Sequence, residues 1–169
     1  MKRNIFGEIQ FEAGDYTSFV LSELSSQSHY NITINEQTSH GFKTDLKIPN
    51  TGIYILYRNK QAIYVGCTET NIRQRIGRFI AAVRGTEHED ENHSAGYKYL
   101  EVFGNDLSDV TFKVCEIKKT DMPNYINLCD IEEEIINIVK PYFNNETYNS
   151  YIFEKTINIR SVKWDGRPF

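Results

Sequence analysis

Apolar and polar positions alternate along two short runs in the middle of the chain, Gly52-Ile-Tyr-Ile-Leu-Tyr57 and Ala62-Ile-Tyr-Val-Gly66. β-Branched and aromatic residues at that spacing predict strands, and the intervening Arg-Asn-Lys-Gln predicts a hairpin. After Gly66 the period changes. Ile72, Ile76, Phe79, Ile80 and Val83 fall on one helical stripe, with Thr70 or Asn71 as N-cap and Gly85 as terminator. Val110 to Ile117 alternates as a third strand. A second helix follows Pro123, turns Leu128, Ile131, Ile135, Ile138 and Val139 inward, and is stopped by Pro141. Between the first helix and the third strand, Glu87 to Gly96 is acidic and aperiodic and predicts a surface loop. The flanks carry weaker signals: strands within Ile5–Phe11, Tyr30–Ile34 and Tyr151–Ile159, and a short helix over Asp15–Ser25. The order strand, strand, helix, strand, helix predicts an α+β fold: a small antiparallel β-sheet of three core strands flanked by helices, with N- and C-terminal additions.

The chain has 169 residues, 40% of them hydrophobic and 25% charged, which suits a single globular domain spanning 1–169. No apolar run approaches the roughly 20 residues that span a bilayer, and the first residues do not read as a signal peptide, so no membrane association and a cytoplasmic location are expected. Cys67, Cys115 and Cys129 are widely spaced and suggest neither a disulfide framework nor a zinc site. The net charge of −4 conceals an asymmetry. From Arg58 to Arg84 the bases Arg58, Lys60, Arg73, Arg75, Arg78 and Arg84 face one acid, Glu69. A polyanion could dock there although the protein is acidic in sum.

Gly52-Ile53-Tyr54, then Tyr64-Val65-Gly66, then Asn71-Ile72-Arg73-Gln74-Arg75 opening a helix, resemble the signature of the GIY-YIG nuclease family, which includes the excision-repair incision subunit, phage homing endonucleases and some restriction enzymes. Further on, Ile131-Glu132 and Pro141-Tyr142-Phe143-Asn144 are similar to that family's glutamate helix and the Pro-x-x-Asn turn after it. The resemblance covers about 52–144 and leaves 1–51 and 145–169 as extensions. It implies a divalent-metal-dependent DNA endonuclease, with Tyr54 as water-activating base, Tyr64 as a hydrogen-bonding partner that positions water or phosphate, Arg75 as phosphate clamp, and Glu132 as sole protein ligand of Mg²⁺ (or Mn²⁺). Asn144 would brace the site next to the substrate. Such residue types suit phosphodiester hydrolysis, which needs a deprotonated water and neutralised phosphoryl oxygens. Cutting both strands with one site would call for a homodimer or two visits. A noncatalytic DNA- or protein-binding module on the same fold is the competing expectation.

Two departures stand out. Cys67 and Phe79 occupy positions where the family often places polar groups; Cys67 reads as a small buried residue, and Phe79 completes the apolar stripe. His93 is the candidate substitute. Helical phase adds three expectations. Arg75 sits at the margin of the first helix's apolar face, with Arg78 one turn on as a second phosphate contact. In the second helix Glu132 lies nearest the buried face among Glu132, Glu133 and Glu134, and only it is pulled inward. Finally, Tyr54 and Tyr64 share a sheet face only if the hairpin has an odd-length loop or a bulge, with Asn59 suited to a left-handed conformation.

Overall fold

Ile53, Tyr54, Ile55 and Leu56 are all buried, which an alternating strand achieves only when both faces of its sheet are covered. This computed structural model describes residues 2–3, 9–10, 12–34, 41–86 and 93–144. In chain order the strands are β1 (Lys2–Arg3), β2 (Ile9–Gln10), β3 (Tyr30–Asn31), β4 (Thr33–Ile34), β5 (Phe42–Lys43), β6 (Gly52–Arg58), β7 (Gln61–Thr68) and β8 (Val110–Glu116). The helices are α1 (Ala13–Ser26), α2 (Ile72–Arg84), α3 (Ser94–Phe103) and α4 (Leu128–Val139). The fold is α+β: an antiparallel sheet in the order β3-β8-β6-β7 has helices on both faces. The three strands expected from alternation are its body, and two residues of β3 extend it. β1 with β2 and β4 with β5 form separate short ribbons.

The pleat of β6 sorts the core into two clusters. Tyr54 and Leu56 pack with Ile76, Phe79 and Ile80 of α2 and Tyr99 of α3, whereas Ile53 and Ile55 pack with Val20 and Leu24 of α1 and Ile131 and Ile135 of α4. The N-terminal extension thus supplies a helix to the second core. Its C-terminal carbonyls receive a cation from the sheet: buried Lys113 on β8 donates to the Leu24 carbonyl at 3.0 Å, where the helix dipole is negative.

The hairpin has a two-residue turn and a bulge. Asn59 and Lys60 both take positive φ (49° and 65°), which matches a tight β-hairpin turn. The pairing then slips by one between Tyr57 opposite Ala62 and Leu56 opposite Tyr64. Ile63 and Tyr64 therefore both pack against the cluster that contains Tyr54, while Val65 returns to the other side. The bulge offsets the parity of the two-residue turn and puts the two tyrosines on one face.

The first predicted helix is realised as α2. Asn71 Oδ1 accepts from the Gln74 amide at 2.9 Å, and Gly85 closes the helix at φ 65°. Three expectations need correction. Ser94 to Gly96, expected in a loop, open α3, because Ala95, Tyr99 and Val102 supply a buried stripe; 87–92 lie outside the described residues. Ile138 is exposed, since α4 ends one residue later with Lys140 left-handed ahead of Pro141 and its last turn overshoots the core. The expected strand Tyr30–Ile34 is split at buried Ile32 between two sheets. Within Ile5–Phe11 the described residues Ile9–Gln10 are strand, and the rest of that run, like Tyr151–Ile159, lies outside the described residues. No described helix is long and apolar enough to cross a membrane.

Candidate active site

Strand β7 is an edge of the sheet, and its residues reach groups on both flanking layers. Gly66 stands opposite Tyr54, and a Cβ on Gly66 would collide with the Tyr54 ring and hydroxyl. The absence of a side chain lets the Tyr54 ring lie over the neighbouring strand, which explains why glycine follows the second tyrosine by two. Gly52 is fixed for another reason: its φ of 136° and the adjacent Cys115 carbonyl exclude any Cβ.

Tyr54 is only 1% exposed. Its ring centroid is 6.1 Å from that of Tyr64, and the two hydroxyls act on each other. Burial drives the Tyr54 hydroxyl well above the ordinary tyrosine value, with Tyr64 adding to the rise and Arg75 opposing it. Tyr64 is half-buried. Burial and then Glu132 push it up, while Arg75 and the neighbouring Tyr54 hydroxyl pull it back. Tyr54, expected as the water-activating base, is thus a desolvated hydroxyl beside half-buried Tyr64.

Arg75, on the first turn of α2, is exposed at the margin expected from helical phase. Among the described residues its guanidinium makes no hydrogen bond or ion pair. Its charge nevertheless acts on Tyr54, Tyr64, His93 and Glu132, so it overlooks all four. Arg78 is half-buried one turn further on, where its charge also reaches His93. Arg73 is turned away, donating to the Phe42 carbonyl at 2.9 Å.

Glu132 comes from α4, on the other side of the sheet, and meets this group around the edge of β7. It is half-buried; burial raises its carboxyl, and a hydrogen bond from Cys67 and the charge of Arg75 oppose the rise. Glu133 is exposed, as the phase of the helix requires. Glu134, contrary to expectation, is also half-buried, because α1 covers that flank and the Thr17 hydroxyl donates to Glu134 Oε2 at 2.7 Å. Glu134 thus has a structural partner in a place Glu132 does not share.

Asn144 is wholly engaged by the backbone of β7. Its Oδ1 accepts from the Val65 amide and its Nδ2 donates to the Val65 carbonyl, both at 2.7 Å. It braces the residue next to Tyr64. His93 is 5% exposed at the N-terminus of α3, with ring centroids 5.2 Å from Tyr64 and 5.6 Å from Phe79. Its Nδ1 is buried without a hydrogen-bond partner. Burial, helped by Arg75 and Arg78, pushes the imidazole down to about 4, so it is neutral at pH 7. A polar ring therefore lies beside the place where Phe79 has none.

Sequence reasoning missed two features here. Cys67 is half-buried and donates to Glu132 Oε2 at 2.9 Å, and the Cys129 sulfur is 4.0 Å from that of Cys67. Their separation in the chain hides the pair from any spacing rule. The other is α3, which carries His93 into the interior.

Fold and site together define an α+β domain whose sheet edge gathers two tyrosines, an unpaired arginine and a half-buried glutamate. A structure of a mutant of bacteriophage T4 EndoII is similar at 20% identity and a TM-score of 0.46, covering 76% of this chain and 98% of that one. No family model matches the chain, and no curated protein does.

Proposed function

We propose that this chain is a divalent-metal-dependent DNA endonuclease, hydrolysing phosphodiester bonds at the lip where β7, α2 and α4 meet. One arrangement carries the reading: the Tyr64 hydroxyl, the unpaired Arg75 guanidinium and the half-buried Glu132 carboxylate act on one another electrostatically although they come from three elements. An exposed arginine facing a desolvated carboxylate without pairing to it leaves a gap of the polarity that a phosphate and a cation would fill together.

Arg75 presents its fork to two phosphate oxygens, and Arg78 supports the next phosphate. Tyr64 faces the solvent side and takes the proton of the attacking water. Tyr54, sealed below, donates to the Tyr64 oxygen and stabilises a phenolate there, so the base is assigned to the second tyrosine rather than the first. His93, neutral and alongside, keeps Tyr64 oriented. Glu132 suits a hard cation, because such ions take one or two carboxylates and complete their shell with water and substrate phosphate. Mg²⁺ or Mn²⁺ held there would neutralise charge developing on the phosphoryl oxygens. The substrate is DNA; cutting both strands requires a second copy of the chain or a second visit.

The test is nicking of supercoiled plasmid with Mg²⁺ or Mn²⁺, stopped by a chelator. Arg75→Ala should slow it by about 10²-fold or more, as for loss of a transition-state donor. Tyr64→Phe should cost more than Tyr54→Phe. Glu132→Gln should abolish cleavage and keep DNA binding, and Glu133→Gln should match the wild type. Wild-type rates in Arg75→Ala would defeat the mechanism, and DNA binding with no cleavage under any divalent ion would leave a noncatalytic binding module.

A further inference from the structure

Two thiols and a carboxylate converge where β7 meets the first turn of α4. The Cys67 and Cys129 sulfurs are 4.0 Å apart, Cys67 Sγ is 2.9 Å from Glu132 Oε2, and the three donor atoms all lie within 4.8 Å of one another. Cys129 and Glu132 are three apart on α4 and so share a face, while Cys67 approaches from the strand. Two bonds of about 2.3 Å at a tetrahedral angle place two sulfurs about 3.8 Å apart, close to the spacing already present.

We propose that Cys67, Cys129 and Glu132 form a binding site for a thiophilic divalent cation of the zinc class. The inference goes beyond the nuclease reading and does not depend on it. Thiolate donors select zinc-class ions over Mg²⁺, which keeps to oxygen. Three protein ligands are the number found where zinc retains an open fourth position, and Cys129 is exposed, so water can complete the shell. The ion takes the place of the two thiol protons, which are released to solvent, and the Cys67–Glu132 hydrogen bond becomes two metal bonds. The charge of Arg75 at Glu132 offsets the surplus negative charge of the complex. Glu132 belongs to both sets of groups, so a zinc-class ion and Mg²⁺ would exclude each other.

The experiment titrates the full, phosphine-reduced chain with Co²⁺ under anaerobic conditions and follows thiolate-to-cobalt charge-transfer absorption, then displaces the probe with Zn²⁺. The expected result is one Co²⁺ per chain with a tetrahedral spectrum, a charge-transfer band reduced to about half in Cys67→Ser and in Cys129→Ser, and at least about tenfold weaker binding in either variant and in Glu132→Gln, as for loss of a ligand. Cys115→Ser should be unchanged. Zn²⁺ should raise the melting temperature of the wild type but not of Cys129→Ser, whose exposed position makes the substitution harmless to folding. Because none of these readings uses DNA, their failure is separable from failure of the nuclease assay. Absence of a thiolate band in the wild type, its survival at full intensity in both cysteine variants, or half a metal per chain with dimerisation would each overturn the proposal.

Discussion

His93 shows how far a single side chain can depart from what its sequence surroundings imply. It follows an acidic, aperiodic stretch, yet it is buried against Tyr64 and Phe79 with Nδ1 unpartnered. An imidazole held down to about 4 stays neutral in the folded protein while the unfolded chain protonates near 6.5. Between those values the unfolded state binds the extra proton, so stability falls as pH is lowered through that window and the loss is complete below about 4. The groups whose charges act on it are Arg75 and Arg78 of α2, and both push the same way. Comparing urea midpoints of wild type and His93→Gln at about pH 8 and about pH 4.5 isolates the effect, since the remaining carboxylates cancel. The wild type should lose stability relative to the variant on acidification. A difference that does not change with pH would show that His93 titrates normally.

Among the elements, α2 was legible in full and α3 not at all, for a physical reason. The stripe of α2 is made of isoleucine, phenylalanine and valine, bounded by Asn71 and Gly85, so pattern and caps agree. The buried face of α3 is made of Ala95, Gly96, Tyr99 and Val102, small or polar-tipped residues that give little periodic contrast. The hairpin was legible as a requirement: Tyr54 and Tyr64 can share a face only with an odd loop or a bulge, and the bulge at Ile63–Tyr64 is the form taken. Four candidate residues, Tyr54, Tyr64, Arg75 and Glu132, come within electrostatic reach of one another, whereas the thiols beside Glu132 were hidden because only the fold unites β7 with α4. The turn itself carries stored strain. A left-handed conformation costs a side chain about 1–2 kcal/mol, and Lys60 has no short polar group to relieve it as Asn59 has. After the added entropy of an unfolded glycine, Lys60→Gly should stabilise by roughly 0.5–1 kcal/mol in chemical denaturation. A loss of stability would mean that the Lys60 side chain makes a contact of its own.

At the scale of the whole molecule, helices seal both faces of the sheet and leave its rims as the remaining polar backbone. Along β7 that rim is occupied by the chain leaving α4. Tyr142 and Phe143 donate their amides to the carbonyls of Ala62 and Ile63 at 3.3 and 2.8 Å, and the Asn144 side chain pairs with both backbone groups of Val65. An amide side chain here does the work of a neighbouring strand. The consequence concerns colloidal behaviour: an uncovered edge recruits strands from other molecules, and Asn144 is what denies them a starting place. Asn144→Ala should cost about 1–3 kcal/mol for the stranded backbone groups of Val65. It should also shorten the lag before light scattering and thioflavin fluorescence rise in quiescent, concentrated samples held well below the melting temperature. If the variant is destabilised yet stays as clear as the wild type, the guard on that rim lies elsewhere. If it seeds, one asparagine five residues past a helix sets how long this protein can be stored.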